Sequence, residues 1–266
     1  MATDAEAMPV LIDTHAHLDA PKLARDEEGA LARARAAGVG TVVAVGVDME
    51  SSRAAVVIAA RRPEVLATVG VHPHDASDVA AGDLDELRRL AAEPPVVAVG
   101  ECGLDFFRDL SPRDVQRRVF AQHLALAREA GLPVVVHCRD AYAECLDILR
   151  REWPPPVRGV MHCFLGDEAV ARQALDLGMV LGIGGSLTFP REEALRRVVS
   201  GLPLERLVVE TDAPYLTPRP KRGSNEPAYV RFTAERLAEV IGVDFACVAE
   251  TTTRNARILF DIHDGS

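Results

Sequence analysis

The sequence predicts a single closed (β/α)8 barrel, in which eight parallel strands alternate with helices. Eight short apolar runs rich in β-branched residues recur along the chain, and segments with helical spacing separate them. No stretch has the composition of a linker, and 266 residues fit one domain of this kind. An open doubly wound sheet is the competing architecture, and the placement of polar residues decides between the two.

The eight runs are apolar throughout rather than alternating, as expected of parallel strands that are buried on both faces. Each is followed by a crossover that is long enough for a right-handed strand–helix–strand unit. The predicted strands are residues 10–13, 41–46, 65–71, 96–100, 133–137, 159–163, 179–184 and 207–211.

The clearest helix covers 111–131, with Ser111 as N-cap, Pro112 at the first helical position and Gly131 past the end. We expect residues 10–262 to form the barrel and residues 1–9 a flexible tail. The other predicted helices are 27–38, 49–62, 83–93, 140–152, 167–178 and 191–201, and an amphipathic pair, 226–242 and 245–260, closes the chain.

The composition excludes some classes of protein. The net charge of −10 argues against binding by non-specific attraction to phosphates, although bound divalent cations would still permit a nucleic acid substrate. Five cysteines without a CxxC pair favour a reduced protein, and no apolar run approaches the roughly 20 residues that span a bilayer. The acidic N-terminus is unlike a signal peptide, so we expect a cytoplasmic protein without membrane contact.

Histidines and acids follow the apolar runs, at the ends of the strands where barrel enzymes build their sites. Alternation places Asp13, His15 and His17 on one face of the first strand, and Glu210 points to the same side as Asp212 but deeper. Groups from strands 1 and 8 converge only if the sheet closes. A lone histidine at a strand end is more often structural, but the whole set predicts a metal centre: His15, His17, Glu101, His137, His162 and Asp212.

The remaining histidines and cysteines have plainer interpretations. His72 is open between substrate contact and loop structure, whereas His74 is expected to be structural. His123 lies on the buried stripe of its helix, and His263 is expected to be solvated. The cysteines that follow proposed ligands should point away from them into the packing: Cys102, Cys138 and Cys163.

Seven motifs, in order, resemble the TatD family of metal-dependent hydrolases, a branch of the amidohydrolase superfamily. The resemblance runs from about Val10 to Phe260, and the ordered set is far more specific than an H-x-H pair alone. The motifs are LIDTHAHLD, GVHPH, GECGLDFFRD, PVVVHCRDA, HCFLGD, ETDAPYLTP and RGSNEPAYV.

The resemblance implies a TIM barrel with two divalent metal ions, Zn²⁺, Mn²⁺ or Mg²⁺. By matching motif, one ion would be held by His15, His17 and Asp212, the second by His137 and His162, with Glu101 as the bridging carboxylate. Three departures bear on substrate binding rather than chemistry: Leu165 replaces a common Ser, Pro190 and Arg191 stand where Lys is frequent, and the loop after Gly223 is shorter.

The leading hypothesis is a deoxyribonuclease that cleaves DNA phosphodiester bonds, from the 3′ end of single strands as the resemblance suggests. A hydroxide activated by both metals would attack, with Asp212 and Glu101 as the catalytic carboxylates. His72 and Arg139 are the predicted substrate contacts. Further candidate phosphate contacts are Arg108, Arg191 and Arg222.

Two alternatives stay open at this point. The same centre would serve an amide or ester hydrolase such as a D-aminoacyl-tRNA deacylase, and a non-catalytic metal- or nucleic-acid-binding protein is a further alternative. The sequence does not specify the oligomeric state, and a monomer is compatible with it.

Overall fold

The computed structural model describes residues 10–263, so the tail predicted for residues 1–9 lies outside the described residues. One parallel sheet contains eight strands in sequential order. The strands are β1 (Leu11–Ala16), β2 (Val39–Val45), β3 (Val65–Val69), β4 (Val96–Asp105), β5 (Val134–Arg139), β6 (Gly159–Met161), β7 (Val180–Ile183) and β8 (Leu207–Val209).

A helix follows every strand, as the helical spacing predicts. The helices are α1 (Pro21–Ala24), α2 (Glu27–Ala36), α3 (Met49–Arg61), α4 (Asp83–Leu90), α5 (Arg113–Ala130), α6 (Tyr142–Glu152), α7 (Glu168–Asp176), α8 (Glu193–Ser200), α9 (Val230–Ile241) and α10 (Phe245–Phe260). Short 3₁₀ turns lie at 73–78, 185–188, 204–206 and 227–229.

The first and last strands meet along a seam that nearly closes the sheet into a barrel. The Thr14 hydroxyl donates to the Val209 carbonyl at 3.0 Å, and the Asp212 amide donates to the His15 carbonyl at 2.9 Å. A parallel bridge joins Ala16 to Ala213. The (β/α)8 prediction is confirmed, and the sequential strand order rules out the doubly wound alternative.

Two apolar clusters fill the fold. The larger one joins the outward faces of the strands to the surrounding helices. The smaller one takes residues such as Ile12, Val135 and Val208 from the strands, and α10 packs against it through Ala256 and Phe260. Because α10 also bonds Val10 and Leu204, which precede strands, it covers the N-terminal end of the barrel and leaves the opposite mouth open.

The strand boundaries differ from prediction mainly at β4, which continues to Asp105 instead of ending at residue 100. Val99 pairs with Val134 but Cys102 pairs with Val136, so β4 has one extra residue against β5. Such a bulge redirects a side chain locally. The bulge contains Glu101, and the amide of Glu101 donates to the Gly46 carbonyl, just after β2, at 2.9 Å.

The predicted N-cap of α5 is wrong. The helix begins at Arg113 with Pro112 as the flanking residue and no side-chain cap bond. Ser111 instead donates to the His74 carbonyl at 2.7 Å and accepts from the Ser77 amide at 3.0 Å. Its hydroxyl therefore fixes the loop after β3 that carries two histidines.

Among residues 10–263, no helix has both the length and the apolar character needed to cross a membrane.

Candidate metal centre

His15, near the end of β1, and His17, just after it, lie close to acids from other strands of the barrel. His15 Nε2 is 3.2 Å from Glu101 Oε2, and His17 Nε2 is 3.2 Å from Asp212 Oδ1. His15 Nε2 is also 3.8 Å from Asp212 Oδ1. Closure at the seam between β1 and β8 produces this first group, His15, His17 and Asp212.

A second group surrounds the other oxygen of Glu101. Its Oε1 lies 2.9 Å from His137 Nδ1, 3.1 Å from His162 Nε2 and 3.3 Å from His72 Nε2. The six residues predicted as metal ligands therefore converge, and Glu101 lies between the two groups. His72 joins them through Nε2, while its Nδ1 accepts from the His74 amide at 3.1 Å, so the same imidazole also holds the loop after β3.

The residues at this position fit divalent cations. Three sets have potential ligand atoms within 4.8 Å of one another: His15, His17 and Asp212; His15, His162 and Glu210; and His72, Glu101 and His137. Both ring nitrogens of His15 are buried and have no hydrogen-bond partner among residues 10–263. Buried polar atoms are normally satisfied, and imidazole with carboxylate is a donor set that suits Zn²⁺ or Mn²⁺.

The electrostatics of the centre favour bound positive charge. Burial acts to raise the pKa of the Glu101 carboxyl, but His162, His72 and His15 bring that pKa well below its usual range. Burial acts to lower the pKa of His162, but Glu101 and Glu210 raise it well above its ordinary value. Burial lowers the pKa of His72 to about 4. Glu101 is therefore ionised and attracts cations. The neutral His72 ring accepts from the His74 amide through Nδ1 at 3.1 Å, so its Nε2 faces Glu101.

The comparisons with known proteins agree with this geometry. A family model described as TatD related DNase matches residues 12–261. The uncharacterized metal-dependent hydrolase YabD of Bacillus subtilis is 42% identical over 255 residues, which is 96% of this chain and all of that protein. The 3′-5′ ssDNA/RNA exonuclease TatD of Escherichia fergusonii is 38% identical over 259 residues, 95% of this chain and 99% of that protein.

This chain belongs to the TatD family. The crystal structure of YJJV, a TatD homolog from Escherichia coli K12, superimposes with a TM-score of 0.90 at 32% sequence identity, covering 95% of this chain and 98% of that one. The family resemblance seen in the seven motifs is confirmed, and the chain is a metal-dependent hydrolase.

The TatD-family centre has a layer of supporting acids that sequence reasoning missed or left undecided. Asp105 Oδ2 lies 3.0 Å from both His137 Nε2 and His74 Nε2, so the structural role expected of His74 is to bond Asp105. Asp13 does not join the ligand groups; it accepts from the Thr211 hydroxyl at 2.6 Å and from its amide at 2.8 Å. A register shift between Asp13 and Ala16 breaks the alternation that predicted a shared face.

Glu210 lies behind His162, deeper than Asp212 as its position in the sequence indicates. Its Oε1 is 3.2 Å from His162 Nδ1 and accepts from the Cys163 amide at 2.5 Å. Gly182 leaves room for this arrangement, because a Cβ there would overlap Glu210 Oε2 and lie 3.1 Å from His162 Cα.

The centre opens into a cleft of about 850 Å³ at the mouth of the barrel. Arg108, Arg139 and Arg191 line this cleft, whereas Arg222 is outside the lining set. The Arg139 guanidinium carbon lies 4.0 Å from the centroid of the Phe107 ring. The predicted contact Arg139 is thus positioned at the cleft, with an exposed aromatic ring beside it.

The other histidines, and the cysteines that follow candidate ligands, lie partly where the sequence predicts. His123 is buried, accepting from the Val71 amide and bonding the Val119 carbonyl, and the side chain of His263 is exposed. Cys102 is buried in the core as expected, and Cys138 belongs to the same cluster. The expectation fails at Cys163, whose φ of 46° takes it out of strand alternation, and both Cys138 and Cys163 line the cleft.

Proposed function

We propose that this hydrolase is a nuclease that cleaves phosphodiester bonds of single-stranded DNA or RNA, removing nucleotides from the 3′ end. The observation that carries the proposal is the pair of histidine–carboxylate groups on either side of Glu101, at the bottom of a cleft lined by arginines. Relatives named 3′-5′ ssDNA/RNA exonuclease support the choice of substrate.

Two divalent cations, Zn²⁺, Mn²⁺ or Mg²⁺, would occupy the centre. His15, His17 and Asp212 would hold one of them, and His137 and His162 the other, with Glu101 shared. When bound, such ions supply Lewis acidity that polarises a phosphoryl oxygen and lowers the pKa of water.

The side chains of the chain itself contribute binding and proton transfer. Asp212 keeps its pKa below the usual value because bonds to His17 outweigh burial, so its carboxylate is available to accept a proton from the attacking water. Arg139 and Arg108 at the cleft would bind phosphate oxygens and offset the net charge of −10 locally. His72 is neutral and accepts from the His74 amide through Nδ1, so its Nε2, 3.3 Å from Glu101, would donate to a phosphoryl oxygen.

The proposal also includes a cytoplasmic monomer. The five cysteines Cys102, Cys138, Cys145, Cys163 and Cys247 are free thiols, which suits a reducing compartment. The candidate ligands all come from one chain, so the centre needs no contribution from a partner.

The test uses protein stripped of metal by a chelator and reloaded separately with Zn²⁺, Mn²⁺ or Mg²⁺. Each form is incubated with 5′-labelled single-stranded DNA, single-stranded RNA and duplex DNA, and with D-aminoacyl-tRNA. We expect stepwise shortening of the single strands from the 3′ end, and none in the chelated protein. Cleavage of the aminoacyl ester alone would contradict the nuclease proposal and identify the deacylase alternative.

A further inference from the structure

Large exposed apolar side chains cluster at the mouth of the cleft. Among residues 10–263, eight large hydrophobic side chains are strongly exposed, and three of them line this cleft: Phe107 (56% exposed), Leu165 (45%) and Tyr215 (59%). Burying such surface is favourable, so its concentration around a charged catalytic cleft indicates a substrate that has apolar faces as well as charge.

Each of the two aromatic residues is tied to the metal centre through its backbone. The Phe107 amide donates to Asp105 Oδ1 at 3.0 Å, and Asp105 in turn bonds His137. The Tyr215 amide donates to the Asp212 carbonyl at 2.8 Å, and the Tyr215 ring lies 5.8 Å from the His17 ring.

Two further contacts fix these residues in place. Asn225 Nδ2 donates to the Tyr215 carbonyl at 2.6 Å, and the Arg139 guanidinium lies against the Phe107 ring. The two rings are therefore held at defined positions beside the ligand groups, although more than half of each residue remains exposed.

The two rings follow strands that lie on opposite sides of the barrel. Phe107 follows β4 and Tyr215 follows β8, and in an eight-stranded barrel with sequential order these strands face each other. Eight strands with the usual spacing and tilt enclose a cylinder about 15 Å across. A chain that crosses the mouth over the metal centre therefore meets one ring on each side.

We propose that Phe107 and Tyr215 are a stacking pair that binds two unpaired nucleobases on either side of the scissile phosphate. The proposal rests on the proposed nuclease function and specifies how the substrate is recognised. Aromatic stacking tolerates any base, because every base has a π face, while the neighbouring Arg139 supplies the charge for the backbone. In a duplex, the faces of each base are already stacked on neighbouring base pairs. Phe107 and Tyr215 therefore select single strands without reading their sequence.

The first experiment measures binding apart from cleavage. The metal-loaded full chain is titrated with two fluorescein-labelled oligomers whose phosphorothioate linkages resist hydrolysis, one of thymidylate and one abasic, of equal length. The measured quantity is the ratio of the two Kd values by fluorescence anisotropy. We expect the wild type to prefer the oligomer with bases by at least about tenfold, given what stacking contributes per base.

The variants Phe107→Leu and Tyr215→Leu keep apolar bulk but lose the π face. Each should weaken binding of the thymidylate oligomer about tenfold and reduce its preference over the abasic one. Tyr215→Phe should restore the preference. Leu110→Ala is the matched control, because Leu110 is 65% exposed and does not line the cleft. Thermal melting followed by circular dichroism verifies that each variant is folded.

Cleavage of unprotected oligomers is then measured separately. If the wild type cleaves DNA but binds both oligomers equally, or if both leucine variants match the wild type, the stacking pair is wrong and the nuclease function remains. If the wild type binds with base preference but does not cleave, the stacking pair holds and the nuclease function fails. If the wild type neither binds nor cleaves the oligomers, both the stacking pair and the nuclease function are wrong.

Discussion

Asp105 Oδ2 lies 3.0 Å from His137 Nε2, while the other ring nitrogen of His137 lies 2.9 Å from Glu101. Burial acts to raise the pKa of Asp105, but bonds from His137 and from the Arg108 amide lower it below its usual range, so the carboxylate is ionised. It therefore accepts from Nε2–H, so that Nδ1 is the ring nitrogen that faces Glu101. Such an outer carboxylate fixes both the tautomer and the orientation of a metal ligand.

Replacing Asp105 with Asn should weaken metal binding about 10- to 100-fold, because the amide no longer stabilises that tautomer as strongly. A chelating-dye competition assay measures the affinity, and turnover should recover at saturating metal. Asp109→Asn is the matched control, since Asp109 is exposed and pairs only with Arg113 among the described contacts. Equal affinities of Asp105→Asn and wild type would show that His137 does not depend on this bond.

Glu101→Gln should reduce turnover at least about 100-fold, because the isosteric amide cannot supply the negative charge that lies between both groups of ligands. Elemental analysis should show fewer bound metal ions per chain. Glu93→Gln, at an exposed position, is the control and should behave as wild type. A Glu101→Gln protein that retains both its metal content and its turnover would refute the proposed centre.

Gly182→Ala should destabilise the fold by about 1–3 kcal/mol, the usual cost of inserting a methyl group into a packed site. The added carbon would collide with Glu210, which cannot move freely because it accepts from the Cys163 amide. The free energy of unfolding in urea measures the effect. Gly201→Ala is the control, since its added carbon would lie 3.6 Å from the nearest atom. Similar stabilities of the two variants would contradict this packing argument.

Acid should destabilise the protein partly through His123. Burial lowers the pKa of His123 from 6.5 to about 4. Between these two pH values, the histidine is protonated in the unfolded chain and neutral in the folded one. This stabilisation is complete above pH 6.5 and is lost as the pH falls towards 4. Between about pH 7 and about pH 5 the loss amounts to about 2 kcal/mol.

His123→Gln retains a donor for Val119 and an acceptor for Val71 but does not titrate. Urea unfolding of both proteins in chelator, at neutral and at acid pH, should show a smaller acid loss in His123→Gln. Identical pH dependence of wild type and His123→Gln would mean that His123 has the same pKa in the folded and the unfolded chain.

The barrel and the convergence of the candidate ligands could be predicted because both follow from periodicity. Continuous apolar runs indicate parallel strands, and residues such as His15 and Asp212 directly follow them. The supporting contacts could not be predicted, since they depend on local departures from regular geometry. The extension of β4 brings Asp105 to His137, and the left-handed backbone of Cys163 turns it into the cleft.

His72 shows the same difference between regular and irregular structure. It lies in a loop, where no period specifies the direction of a side chain. The Val47 carbonyl, which accepts from the His72 amide at 2.7 Å, and Ser111, which bonds the following turn, hold it 3.3 Å from Glu101. The direction of the His72 side chain thus depends on loop contacts that no sequence period describes.

The seam between β1 and β8 has a consequence for synthesis on the ribosome. The Asp13–Thr211 and His15–Asp212 contacts join residues almost two hundred positions apart, so two of the three residues of one ligand group are made early and the third late. A nascent chain that has not yet released its eighth strand has His15, His17 and Glu101 in place but lacks Asp212. Hydrolytic competence thus arrives only when translation has brought the two ends of the sheet together.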